Sequence, residues 1–277
     1  MNAAKAKNRA AFSALLKSEA LADRLGAVRL AMVTPDRLSL PSAQLLAVAL
    51  SDNLGRLWPN IDFIGVQANE FLATAVAAAE SGGSPTDGLR SNMSDSAYTL
   101  VVAIDCVPDS SLQSAPVLQI AANDWQVEFG PSGRCGESLN PVGPAFAASL
   151  CAAQVFLRVF EKELAGRNAD FLEHERFDVR ELFGVPQLEV APLDLGEVQC
   201  FGVGAVTHAF AWLIENWPTR IQGRIELVDP DPYGSSNGQR YAFMRAGDVA
   251  KSKVKAVGAR LRGKHPGLDL GEYELDL

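Results

Sequence analysis

The chain has 277 residues, 48% of them apolar and 21% charged, a composition able to bury a sizeable core. Its net charge of -8 excludes a general nucleic-acid coat, which needs basic stripes. No uninterrupted apolar window of about 18 residues is present, so no membrane span is expected; polar residues also break up the first 25 positions, so no export signal is read there, and the expected compartment is the cytoplasm.

In chain order, an amphipathic helix is expected over 3–25 and a strand over 28–33. A helix follows over 42–57, with Ser39 or Ser42 as its cap. A strand at 61–66 and an Ala-rich helix at 69–80 lead to a loop, 81–96, rich in Gly, Ser, Asp and Asn. Continuous apolar runs predict strands at 98–104 and 116–122, with a third at 125–129. A loop, 130–140, precedes a long helix over 141–164. This alternation predicts a mainly parallel sheet with helices on its faces. The charged stretch 161–181 reads as a joint, and 183–195, with two prolines, leads into a new unit. That unit reads strand 198–203, helix 205–216, strand 224–228, mostly loop 230–248, helix 250–261 and strand 268–277. The fold class is α/β, with units at 1–166 and 184–277 around a joint at 167–183, alike in class but without a visible repeat.

None of Cys106, Cys135, Cys151 and Cys200 forms a CxxC pair, so no paired-cysteine zinc site is expected. Cys135, in a Gly-rich stretch beside Arg134, is the one candidate for an exposed thiol. Cys200 reads as a buried thiol on a central strand. His174, His208 and His265 show no ligand spacing. Phe210, Trp212, Leu213 and Trp217 read as the core face of a helix.

The second unit holds the residues that carry chemistry. Strand 198–203 runs into Gly202-Val203-Gly204-Ala205-Val206-Thr207 and then a helix. Glycines at such a turn let a phosphate or ribose approach the backbone, and the helix N-terminus offers free N–H groups. The next strand ends in Leu227-Val228-Asp229-Pro230-Asp231, where a carboxylate can accept hydrogen bonds from a ribose; two solvated aspartates in a turn fit the same residues. Ser235-Ser236-Asn237-Gly238-Gln239-Arg240 follows, and Lys253 lies 13 residues beyond Arg240. Two such cations can offset the charge that develops in phosphoryl or nucleotidyl transfer.

Leu-Val-Asp-Pro-Asp, five residues, Asn-Gly-Gln-Arg and then Asp-Val-Ala-Lys-Ser-Lys resembles the ThiF/MoeB/ubiquitin-activating superfamily of adenylyltransferases over about 197–277. The resemblance implies that Gly202 and Gly204 form the nucleotide loop and that Asp229 holds the ribose. It further implies that Asn237 and Arg240 lie near the phosphates, with Lys253 binding them; the role of Asp231 stays open. It implies catalytic roles for Arg240 and Lys253 and the use of ATP and magnesium. Two departures stand out: Thr207 replaces the third glycine, and Gly238 replaces a leucine. The family's magnesium-binding aspartate and catalytic cysteine cannot be located. In the first unit, Asn140-Pro141-Val142-Gly143-Pro144 resembles the start of a late adenylation helix, and 98–105 a strand ending in aspartate. Thr34-Pro35-Asp36-Arg37 stands where a glycine loop would be. The resemblance thus implies two tandem Rossmann-like units, an inactive adenylation-like domain before a partial active one, with Arg9 as a candidate donated arginine.

The implied activity is ATP-dependent adenylation of the C-terminal carboxylate of a ubiquitin-like protein. Implied partners are that protein and a conjugating enzyme, with no nucleic acid or membrane, in a dimer or pseudo-dimer of adenylation domains. The layout resembles activating enzymes of bacterial antiphage ubiquitin-like conjugation systems of the Bil type. A nicotinamide-dependent oxidoreductase fits the glycine turn and Asp229 equally well but leaves Asn237, Arg240 and Lys253 unexplained. A non-catalytic adenylation-fold scaffold is the other alternative.

Overall fold

A computed structural model describes residues 25–35, 38–82, 84–92, 97–112, 114–162, 164, 171–184 and 190–275. The helix expected over 3–25, with Arg9, lies almost wholly outside the described residues.

The described residues form two sheets. The first unit contributes β1 (Leu30–Val33), α1 (Pro41–Leu57), β2 (Asn60–Ile64), α2 (Ala68–Gly82), β3 (Gly88–Arg90), β4 (Leu100–Ile104), β5 (Val117–Asn123), β6 (Gln126–Phe129), α3 (Val142–Val159), β7 (Arg176–Asp178) and α4 (Val179–Phe183). Its strand order is β3-β2-β1-β4-β5-β6-β7. The first five strands are parallel, while β6 and β7 add antiparallel. β1 and β4 are fully buried, which is why they read as continuous apolar runs without alternation.

The second unit is β8 (Leu193–Phe201), α5 (Ala205–Glu215), β9 (Ile221–Val228), α6 (Lys253–Lys264) and β10 (Leu268–Tyr273). Its sheet is parallel, in the order β10-β9-β8. β1-α1-β2-α2-β3 and β8-α5-β9-α6-β10 therefore share one topology, strand–helix–strand–helix–strand in the order three-two-one. This repeat is invisible in the sequence because it resides in strand pairing. It also corrects the placing of Cys200: β8 is an edge strand among the described residues, and Cys200 is half-buried.

Other local expectations are corrected. The loop 81–96 contains β3, three residues too short to show a period, which form by pairing with β2. Part of the segment read as a joint is built into the first sheet, where β7 pairs with β6. Neither serine caps α1. Leu40 occupies the cap with Pro41 inside the first turn, where proline costs no hydrogen bond. The Ser42 hydroxyl instead bonds the Gly136 carbonyl and accepts from its N–H.

α1 packs on α2 and α3. At Gly55 a Cβ would stand 2.5 Å from the Ala75 carbonyl oxygen, so only glycine permits this approach. α3 is long and apolar enough to cross a membrane by length and composition, yet Ala147, Cys151, Val155 and Val159 are buried in the core. One apolar cluster runs through both units, joining Leu50, Leu54 and Phe160 to Trp212, Phe243 and Leu261.

Candidate functional site

β8 delivers the chain to a tight turn. Gly202 adopts φ +87 and donates its N–H to the Val228 carbonyl at 2.8 Å, a conformation that disfavours any side chain. Gly204 caps α5 without a side chain, and a Cβ there would meet nothing within 4 Å. The first intrahelical bond is His208 N–H to Gly204 O. The N–H groups of Ala205, Val206 and Thr207 thus have no acceptor among the described residues, at the positive end of the helix dipole. Thr207, at the third-glycine position, turns its hydroxyl to the Gly202 carbonyl at 2.8 Å and closes the turn.

Asp229 sits at the tip of β9 and ties this turn to the following loop. One carboxylate oxygen accepts from Val203 N–H at 2.7 Å, the other from Asp231 N–H at 2.8 Å. The Lys253 ammonium approaches those oxygens at 3.0 and 3.3 Å, and the Asp231 carboxylate at 3.1 Å. Burial pushes Asp229 up, but the Asp231 N–H, Lys253 and the Val203 N–H outweigh it and hold the carboxyl below its usual range. Burial likewise pushes Lys253 down, and Asp229 and Asp231 reverse this and raise it. Lys253 is 5% exposed, so this is a charged pair held out of water with its partners satisfied. Asp229, Asp231 and Lys253 therefore form one connected group, tied through the Val203 N–H to the turn that Gly202 and Gly204 flank.

Lys253 reaches it because α6 begins there and not at residue 250. Ser252 supplies the cap, accepting from Lys255 N–H, and Ala250 at φ +67 cannot continue a helix. A non-glycine residue in this region costs about 1–2 kcal/mol. Ala250→Gly is expected to raise stability by about 0.5–1 kcal/mol, the strain relief being partly offset by added freedom in the unfolded chain; urea unfolding measures this, and a loss of stability would refute it.

The other two expected residues have different surroundings. Asn237 builds its own turn, its side-chain oxygen accepting from Gly234 N–H at 2.8 Å. The Arg240 guanidinium lies 5.5 Å from the centre of the Tyr241 ring. It lines a pocket of about 220 Å³ together with Asn53, Arg56 and Ala152 of the first unit.

The loop bearing Asn237 and Arg240 is held from the first unit by a residue that the sequence reading missed. Arg56, on α1, is 2% exposed. It forks onto Asp52 at 2.8 and 3.0 Å. It also donates to the Gly238 carbonyl, and to those of Ala242 and Met244 at 3.1 and 3.3 Å. Arg245 reaches the same Asp52 at 3.4 Å. The available signal was an Asp–Arg pair four apart on α1, one turn beyond Ala49.

Beneath the loop, His208 Nε2 meets the Tyr233 hydroxyl at 3.0 Å, and its ring stacks on Tyr241. Its Nδ1 is buried without a hydrogen-bond partner among the described residues. Burial first, then Arg56, Arg260 and Lys253, push its pKa down to about 3, against Asp248. The unfolded chain takes up this proton near pH 6.5 and the folded chain only near pH 3, so stability rises with pH across that window. Between pH 5 and pH 7 the expected gain is about 2 kcal/mol. His208→Gln should flatten that slope in urea melts, and an unchanged slope would refute the assignment.

Cys135 is corrected as a candidate reactive thiol: it is buried, and that burial pushes its pKa up to about 11. Burial also raises Cys151 and Cys200. Among the described residues no group of three or more His, Cys, Asp or Glu side chains is placed to hold a metal ion.

The fold is thus mixed α/β, with a glycine turn, a helix N-terminus and a lysine-paired carboxylate at one end of a parallel sheet. No family profile matches the chain. It is 29% identical over 227 residues to the uncharacterized protein y4jF of Sinorhizobium fredii, a match covering 78% of this chain and 41% of y4jF. The chain therefore spans less than half the length of this curated relative. Among solved structures it is similar to E. coli MccB crystallised with ATP, at TM-score 0.27 and 16% identity over 57% of this chain and 55% of that one. It is also similar to MccB with MccA-N7isoASN, at TM-score 0.26 and 23% identity over 30% and 24%.

Proposed function

We propose that this chain is the nucleotide-binding part of an ATP-dependent adenylating enzyme whose acceptor is the C-terminal carboxylate of a ubiquitin-like protein. The observation that carries the reading is the Lys253 ammonium held against Asp229 and Asp231 beside an uncapped helix N-terminus. A carboxylate kept for a nicotinamide ribose alone would have no use for a buried lysine on it. A lysine shared with an exposed aspartate can leave that aspartate for a phosphate.

In this mechanism the N–H groups of Ala205, Val206 and Thr207 receive phosphate oxygens. Asp229 orients Lys253 and holds the turn through Val203. A carboxylate oxygen of the acceptor attacks the α-phosphorus of ATP, the bond to the β-phosphate oxygen breaks, and acyl-adenylate and pyrophosphate result. Lys253 offsets the charge that builds on the phosphate oxygens. Asp229 and Asp231 are both paired with Lys253, and no further carboxylate joins them among the described residues. These residues do not fit a magnesium site, and no step is assigned to the metal. The ubiquitin-like acceptor, the conjugating-enzyme partner, the paired adenylation domains and the cytoplasmic setting belong to the same proposal.

Calorimetric titration of the chain with ATP and with NAD tests it: ATP is expected to bind and NAD to give no signal. NAD binding without ATP binding would move the assignment to the oxidoreductase class.

A further inference from the structure

A second cavity, of about 460 Å³, lies between the two units, inside the range of about 300–1,000 Å³ typical of small-molecule sites. Four aromatic rings form much of its wall: Trp125 and Phe146 of the first unit, Phe183 from α4, and Trp212 from α5. Phe183 stands edge-on to Phe146 with ring centres 6.5 Å apart, yet is 69% exposed. A large apolar ring at the rim of an apolar cavity is left wet unless something fills the cavity.

The mouth has a different character. Asn53, Ser149 and Ala242 line both this cavity and the adjoining pocket of Arg240. Among the described residues the one acidic residue in the cavity wall, Asp52, is already paired with Arg56 and Arg245. Arg240 has no carboxylate partner among the described residues and rests on the Tyr241 ring. Positive charge is therefore in excess at one end of an aromatic chamber.

We propose that this inter-unit cavity binds a small aromatic carboxylate, its ring system between Trp125, Phe146, Phe183 and Trp212 and its anionic group at Arg240. Aromatic walls favour a flat body through offset and edge-on contacts. A guanidinium presents its forked donors to a carboxylate. The site is separate from the Asp229–Lys253 group and does not depend on the adenylation reading.

The probes are 2-naphthoate and its neutral isostere 2-naphthamide, titrated calorimetrically into the full chain. Naphthoate is expected to bind about tenfold more tightly than naphthamide, the worth of one hydrogen bond to a charged group. Arg240→Gln should remove that preference and leave naphthamide binding unchanged. Ala145→Trp, filling the cavity from α3, should abolish both; if that variant does not fold, Ser149→Phe at the mouth gives the same reading. Lys253→Ala should leave both unchanged, even if the chain binds no ATP. Absence of naphthoate binding to the wild-type chain, or binding that survives filling of the cavity, would overturn the proposal.

Discussion

Arg56→Met is expected to destabilise the chain by about 3–5 kcal/mol, the cost of leaving one partner of a buried charge pair alone. The variant keeps the length and apolar stem of the side chain but removes the fork. Asp52, 4% exposed, then retains, among the described residues, only Arg245 at 3.4 Å. The carbonyls of Gly238, Ala242 and Met244 lose their shared donor, and each buried acceptor left unpaired costs more than a formed bond contributes. Because those carbonyls belong to the loop after β9, the damage is expected there first. Amide exchange of 238–245 should rise before the sheets open. The double variant Arg56→Met with Asp52→Leu should recover part of the loss, since replacing both charges removes the uncompensated one. Urea unfolding at pH 7 measures all three proteins. A loss under about 1 kcal/mol for Arg56→Met would mean that the contact is not a principal tie between the units.

Lys253→Ala is expected to act chiefly on nucleotide binding. It should weaken ATP binding by about 10- to 100-fold, as expected for one charge-assisted contact to phosphate. The stability cost should be smaller than for Arg56, about 1–3 kcal/mol, because Asp229 keeps the N–H groups of Val203 and Asp231. The pH dependence identifies the pair. Asp229 is depressed in the folded chain, so its contribution is complete above the unfolded carboxylate value of about 4 and is lost as acid carries it through the folded value. Lys253 is raised, so its contribution is complete below about pH 10 and is lost as base carries it through the folded value. The difference between wild type and variant should be flat between those limits and narrow outside them. A variant that binds ATP as tightly as wild type would remove Lys253 from the mechanism.

How much of this was legible follows from the range of the forces involved. The glycine turn and the Asp229–Asp231 strand tip are local signals, because a strand-to-helix turn needs particular residue types within a few positions; a site role for Lys253 was implied only by the family resemblance. Buried parallel strands announce themselves as apolar runs, so β1 and β4 were legible to within a few residues. β3 was not, because three residues carry no period and their strand exists only through β2. The start of α6 was missed because apolar spacing continues across Ala250, whose backbone the loop bends to φ +67.

The sequence by itself determined the α/β class and placed a glycine turn and a carboxylate strand tip, since each depends on neighbours along the chain. Only the tertiary structure decided that Lys253 rests on Asp229, that Arg240 faces the first unit, and that the two units repeat one topology. It alone revealed Arg56 gripping a carbonyl 182 positions away. A hydrogen bond of that separation leaves no local pattern, because its donor and acceptor are ordinary residues until the fold brings them together.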